Sequence, residues 1–340
     1  MTQAISSGRS IDDYLGSSDK RFFSAGYRRV DYRFGEVSVT AGAGPAELNT
    51  AVSLSYPGNW SKKATGDLRP HLSTIDAILL GVAASEAYLL HTTAPGAEDR
   101  RRMWVSRVRI RAAASPDEQL EQVPLRARLR ATHDRPGLPG VVSELEVRVG
   151  GMRIIVDVVH PGHFPDGGPA EAAAATARGI YRDLEELAGP AAARYYGAGF
   201  KRRSHRITDP VIDLEARTAT AAVHLSDEET VVDQGIEGGY PSSATMVDCF
   251  ATSLQLAQIL LYELDGMKRS ISNTLWMRST DLRVRDAARP PVNASGLPLT
   301  CALEGLGLTE MGGGRWRTTD IVSHLAGVDL RCAVAHRLPS

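Results

Sequence analysis

The sequence is poor in several features that would fix its class at once. It has three cysteines in 340 residues, Cys249, Cys301 and Cys332, odd in number and widely spaced. That excludes a disulfide framework or a thiolate zinc site and predicts reduced thiols in a cytoplasmic protein. It has no excess of either charge, since 39 basic residues against 40 acidic ones leave a net charge of -1. A balanced surface offers no electrostatic reason to bind nucleic acid or a membrane face, so neither partner is expected. No uninterrupted apolar run reaches the roughly 18–20 residues that a bilayer span needs. Met1 to Arg9 holds no apolar stretch of signal-peptide type. Also missing are a phosphate-cradling glycine loop, a Gly-x-Ser-x-Gly elbow and a clustered His/Cys/carboxylate set. Gly312-Gly313-Gly314 lacks the following lysine and helix and predicts a hairpin turn. No cofactor and no metal are therefore expected.

What the chain does have is one stretch written twice. His71-Leu72-Ser73-Thr74-Ile75-Asp76 opens a long apolar run, and Ser243-Ala244-Thr245-Met246-Val247-Asp248 opens another, 172 residues later. Three further blocks match in the same order. Arg21–Tyr27 matches Arg194–Phe200, Asn49–Ser55 matches Thr220–Ser226, and Trp104 matches Trp276, all at offsets of 171 to 173. Matched blocks at one offset predict a duplicated unit. The division that follows is an N-terminal half over 1–160, a linker over 161–193 and a C-terminal half over 194–340. The linker is expected to carry an Ala-rich helix over 170–188.

Each repeated run predicts a helix, over 74–90 and 245–264. Both are apolar on every face, so each must be wrapped rather than laid on a surface. Alternating patterns predict strands within 21–56 and 197–225, and others near 103–113, 123–133, 141–149, 152–160, 272–285, 298–308, 314–322 and 325–337. Residues 10–20 predict a short capped helix. The regular helix–strand alternation of a parallel sheet is absent. The expectation is an α+β, tandem (double) hot-dog fold: two antiparallel sheets, each wrapped around a long central helix, in a monomer or homodimer.

Three residues are candidate acid–base groups. His71 sits in the loop before the first core helix. Asp76 and Asp248 sit in the first turns of the two core helices, where the helix start favours a carboxylate. If the two helix starts face each other, His71 and Asp248 come from different halves and divide proton removal and delivery between them. Both aspartates also suit simple helix capping, and His71 an ordinary loop. Glu86, Ser243, Tyr240 and Gln255 are the candidate substrate-binding residues. Glu86 inside an apolar helix needs a partner. It either meets an arginine such as Arg107 or Arg109, or lines a polar pocket. Gln255 and Gln258 suit substrate contacts or hydrogen-bonded core amides. An acyl chain would run past Ala83 or Leu254. Gly162-His163-Phe164-Pro165 resembles the Gly-His-Phe-Pro signature of hydroxyacyl-carrier-protein dehydratases, which makes His163 a further candidate.

Ile11-Asp12-Asp13-Tyr14-Leu15-Gly16, Arg21–Tyr27 and His71–Asp76 resemble the AvrD family, avirulence protein D and its relatives. The resemblance covers most of the chain. It implies synthesis of syringolide-like acyl-sugar lactones from a β-ketoacyl unit and a ketose. The chain is also distantly similar in idea to AfsA-type γ-butyrolactone synthases, whose members carry tandem hot-dog-like halves. The implied activity is that of an acyltransferase or condensing enzyme. Its partners would be a β-ketoacyl thioester, on acyl carrier protein or coenzyme A, and a small polyol or ketose. Two alternatives stay open: a hot-dog dehydratase or thioesterase, and a non-catalytic lactone- or acyl-binding protein. The family's catalytic residues are not carried over; His71, Asp76 and Asp248 rest on the repeat alone.

Overall fold

The computed structural model describes residues 10–338, leaving out 41–44, 59, 61, 64–65, 68, 135–139, 163–177, 229–232, 268–271, 273–274 and 293–295. Two long helices run through it: the first core helix, Thr74–Thr93, and the second, Met246–Leu264. Each starts at a capping box. Ser73 Oγ accepts from the Asp76 N–H while the Asp76 carboxylate accepts from the Ser73 N–H, and Thr245 and Asp248 repeat the exchange. The first helix ends at Ala94, whose left-handed backbone (φ 44°) returns its N–H to the Leu90 carbonyl. Every residue from Thr74 to Leu89 and from Met246 to Ala257 is buried. Each fully buried Leu or Ile side chain stabilises by about 1.5–3 kcal/mol relative to exposure. The first core helix is long and apolar enough to cross a membrane, and here it is wrapped by protein. Gly81 allows the sheet to come close, because a Cβ there would stand 3.0 Å from Ile154 Cγ2.

Among the described residues the wrapping is one sheet of 14 strands. The first half supplies β1 (Asp31–Phe34), β2 (Val37–Thr40) and β3 (Glu47–Ser55). A separate two-stranded hairpin follows, β4 (Lys62–Lys63) and β5 (Gly66–Asp67). After the helix come β6 (Trp104–Arg111), β7 (Val123–Asp134), β8 (Val141–Val149) and β9 (Met152–His160). β10 (Gly179–Tyr181) leads to the second half: β11 (Arg203–Asp213), β12 (Thr218–Asp227), β13 (Trp276–Val284), β14 (Leu297–Met311), β15 (Gly314–Leu325) and β16 (Val328–Arg337). The strands bury alternate residues; in β7, Val123, Leu125 and Ala127 face the core while Pro124, Arg126 and Arg128 face out.

The order across the sheet is β10-β2-β3-β7-β8-β9-β6-β13-β16-β15-β14-β12-β11, with β1 added on β3. From the centre outwards, β6-β9-β8-β7-β3-β2 on one side answers β13-β16-β15-β14-β12-β11 on the other. The expectation of two separate sheets is thereby corrected. β6 and β13 pair antiparallel, Arg109 opposite Asp281, and fuse the two into one. Their side chains match as well, Arg107 meeting Asp281 through Nε–Oδ1 at 2.9 Å and Nη2–Oδ2 at 2.7 Å. Residues 22–29 are a second correction. They form tight helical turns, Phe22–Gly26 and Tyr27–Arg29, where alternation suggested a strand. Within the described part of the linker, Leu184–Ala188 is α-helical and Ala191–Ala193 forms a single 3-10 turn. The three cysteines are buried, and burial pushes each thiol up to about 12. None is a ready nucleophile at neutral pH.

Candidate functional site

The start of the first core helix is built on hydroxyls. The Asp76 carboxyl is fully buried. It accepts from the Ser73 N–H at 2.7 Å, from Tyr32 OH at 2.6 Å and from Tyr56 OH. Burial pushes Asp76 above the usual carboxylate range, and these donors pull against that. The Tyr56 hydroxyl also lies 3.0 Å from the His71 carbonyl oxygen. Asp76 therefore caps its helix and, through Tyr56, holds the backbone that carries His71.

The His71 ring lies above this cap. Its Nδ1 is 3.1 Å from the Arg69 carbonyl oxygen, and the Trp60 ring meets it edge-on at 5.6 Å. A carbonyl only accepts, so in the neutral ring Nδ1 carries the proton and Nε2 the lone pair. His71 lines a cavity of about 390 Å³. The floor beside it is apolar, with Phe22, Trp60, Leu275 and Met277. Gln255 and Gln258 enter from the third and fourth turns of the second core helix, and Arg21 from the turn before Phe22. The start of one core helix thus faces the middle of the other.

Asp248 is elsewhere. It is fully buried and lines neither large cavity. Its Oδ2 accepts from the Thr245 N–H at 2.9 Å and from Arg203 Nη1 at 3.0 Å. Arg203 also binds Asp227, through Nε–Oδ1 at 2.6 Å, and the Ser243 carbonyl oxygen at 2.7 Å. The expectation that His71 and Asp248 share one cleft is corrected. The helices pass each other start to middle, so the two starts open on different places. Ser243 and Tyr240 line a second cavity, of about 540 Å³, beside Arg203. The Tyr240 hydroxyl donates to the Arg102 carbonyl oxygen at 2.8 Å.

Glu86 lines neither large cavity. It is buried with three donors around it: Arg194 Nη1 at 3.1 Å, Arg100 Nε at 3.1 Å and the Ile236 N–H at 3.2 Å. Its partners are not Arg107 or Arg109, whose strand positions turn them to Asp281 and to Glu144 and Asp157. The substrate-binding reading of Glu86 is thus replaced by a buried ion pair. Ala83 and Leu254 are buried and line neither cavity. His163 lies outside the described residues. Sequence reading missed Arg21 and Trp60. Arg21 was legible in principle, because its block recurs around Arg194 with the arginine kept.

Gln255 ties the cavity wall to a histidine. Its Nε2 donates to the Phe23 carbonyl oxygen at 2.9 Å and lies 3.0 Å from His205 Nε2. Burial pushes His205 down to about 4. A histidine lowered in the fold binds fewer protons there than in the unfolded chain. Its contribution is complete above the unfolded value of about 6.5 and is lost as pH falls from there towards 4. Asp76, raised by burial, has the opposite sign: its contribution is lost as pH rises. We expect His205→Asn to flatten the acid side of the stability–pH curve, read as the difference between variant and wild-type urea midpoints at each pH. Equal slopes in the two proteins would contradict this.

A curved antiparallel sheet around long buried helices defines an α+β protein of the hot-dog class. The family model described as Pseudomonas avirulence D protein (AvrD) matches residues 6–339, and the chain belongs to that family. Among curated proteins none matches the sequence. Among solved structures it is similar to a TesB protein of Mycobacterium avium subs paratuberculosis, at 9% identity over 88% of this chain and 96% of that one, with a TM-score of 0.38. It is similar to a conserved hot dog fold protein of Alicyclobacillus acidocaldarius, at 10% identity over 89% and 96%, with a TM-score of 0.33. A third is an acyl-CoA thioesterase II, TesB2, of Mycobacterium marinum, at 13% identity over 76% and 91%, with a TM-score of 0.32.

Proposed function

We propose that this protein is an acyl-thioester enzyme that condenses a β-ketoacyl thioester with a small polyol or ketose to give an acyl-sugar lactone. The observation that carries this is the His71 imidazole, with its Nε2 lone pair, on a cavity of about 390 Å³ with an apolar floor. That volume is in the range of about 300–1,000 Å³ for small-molecule sites. His71 Nε2 would take the proton of the acceptor hydroxyl. The alkoxide oxygen then attacks the thioester carbonyl, the C–S bond breaks, and the imidazolium returns its proton to the thiolate. Asp76 acts behind it as a positioning residue through Tyr56, and Asp248 as the anchor of the second helix. Gln255 and Ser243 remain candidate polar contacts on separate cavities. We further propose the division into halves 1–160 and 194–340 about a linker over 161–193, and a cytoplasmic location in keeping with three reduced thiols.

Incubating the protein with β-ketoacyl thioesters, on coenzyme A and on acyl carrier protein, and a panel of ketoses, with mass detection, tests this reading. An acyl-ketose or its lactone is the expected product. Free acid alone would make the protein a thioesterase, an enoyl product a dehydratase, and tight lactone binding without turnover a binding protein; each would replace the condensation reading. Asp76→Asn should lower turnover by about tenfold or more by loosening the Tyr56 contact that holds the backbone of His71, since even a small misplacement of a catalytic group is costly. Rates unchanged in Asp76→Asn would remove Asp76 from the positioning role.

A further inference from the structure

The repeat gives each half an arginine and, at the matching place on the other half's core helix, a polar residue. In one place these are Arg194 and Glu86, a buried ion pair with Nη1–Oε2 at 3.1 Å. The matching residues are Arg21, offset by 173, and Gln258, offset by 172. Both line the His71 cavity. Arg21 is as buried as Arg194, and its Nη2 pairs with Asp12, a half-exposed carboxylate on the other side of the turn. Its neighbour Phe22 packs edge-on to Trp60 at 5.3 Å, and Trp60 meets His71. Where Arg194 meets a carboxylate on the first core helix, the matching position on the second core helix, Gln258, is an uncharged amide. The cavity keeps a buried guanidinium among its walls, and the equivalent place is closed by a salt bridge.

We infer that Arg21 is the anion-binding residue of the His71 cavity, and that the anion is the enolate of the β-ketoacyl thioester. The inference rests on the donor class proposed above. His71 Nε2 removes a proton from the carbon between the two carbonyls. The C–H electron pair becomes the enolate double bond, and the charge rests on the two oxygens beside Arg21. A planar, two-oxygen anion matches a guanidinium fork in the way a carboxylate does. Protonation from the imidazolium reverses the step, and attack on a ketose carbonyl would use it for ring closure.

Enolate formation needs no acceptor, so it is read alone. In D₂O the wild type should exchange the α-hydrogens of 3-oxooctanoyl-N-acetylcysteamine well above the buffer rate, followed by mass spectrometry. Gln258→Glu places a carboxylate opposite Arg21 and copies the pair already present at Glu86–Arg194, so the variant should fold. It and Arg21→Gln should each lose exchange by about a hundredfold, the usual cost of one oxyanion donor. Octanoyl-N-acetylcysteamine, which lacks the second carbonyl, should compete equally well against all three proteins. Wild-type-like exchange in Gln258→Glu overturns the inference. So does joint loss of exchange and octanoyl competition in both variants, which would make Arg21 a wall of the cavity only. A wild type that condenses without exchanging overturns it while the condensation reading stands. Exchange without any condensation product sinks that reading and keeps the inference.

Discussion

His71→Ala lowers condensation turnover by at least about a hundredfold, the minimum expected on losing a positioned base. The protein should stay folded, because the ring is half-buried and makes one hydrogen bond, to a backbone carbonyl. His71→Gln is the sharper variant. It keeps a donor towards Arg69 and a similar volume but has no titratable nitrogen, so it should be as inactive as alanine. Single-turnover rates with a saturating β-ketoacyl thioester are the measurement. If both variants keep near-wild-type turnover, His71 is not the base, and His163 is the residue to substitute next.

Glu86→Gln should cost about 3–5 kcal/mol of folding stability, the usual penalty for removing one partner of a buried ion pair. Glu86 is 1% exposed and Arg194 is 1% exposed, so water cannot replace the lost carboxylate. The cost falls on both halves together, since Glu86 is on the first core helix and Arg194 and Ile236 belong to the second half. Urea unfolding should show a lower midpoint with an unchanged slope. Glu86→Gln combined with Arg194→Met should recover part of the loss, because the most deeply buried of the charges that faced Glu86 is then gone, while Arg100 still lacks its carboxylate. A single-variant loss below about 1 kcal/mol would mean that Arg100 and solvent compensate, and would remove Glu86 as the anchor between the halves.

Much of the fold was legible because its signals are local. Capping boxes with Ser73–Asp76 and Thr245–Asp248, followed by all-round apolar runs, announce two wrapped helices. Alternation in 123–133 and 141–149 announces strands within a residue of their observed ends. Three things were not legible. Arg21–Tyr27 alternates like a strand, yet Phe22 and Tyr27 are drawn into the core by Trp60 and Phe200, and the backbone coils to allow it. The fusion of β6 with β13 depends on two segments more than 160 residues apart, which no window of sequence contains. The relative direction of the core helices follows from that fusion. For this reason His71 was joined to Asp248, when its cavity instead receives Gln255 and Gln258. The capping alternative for both aspartates describes their contacts, and for Asp248 it is joined by the Arg203 pair.

The seam between β6 and β13 also bears on how the two ends of the molecule came to differ. When two identical copies meet at such a seam, every substitution appears twice, once on each side of the axis. A residue that suits catalysis at one helix start must then be tolerated at the other. Covalent joining removes that constraint. Arg107 needs to suit only Asp281, and Asp281 only Arg107 and its own neighbours. His71 can stand where its counterpart is Ser243, and Gln258 where its counterpart is Glu86. One side of the pseudo-axis is thereby free to spend its polar residues on rigidity, with Glu86 and Arg194 locked together. The other is free to place an arginine and an imidazole in the lining of one cavity.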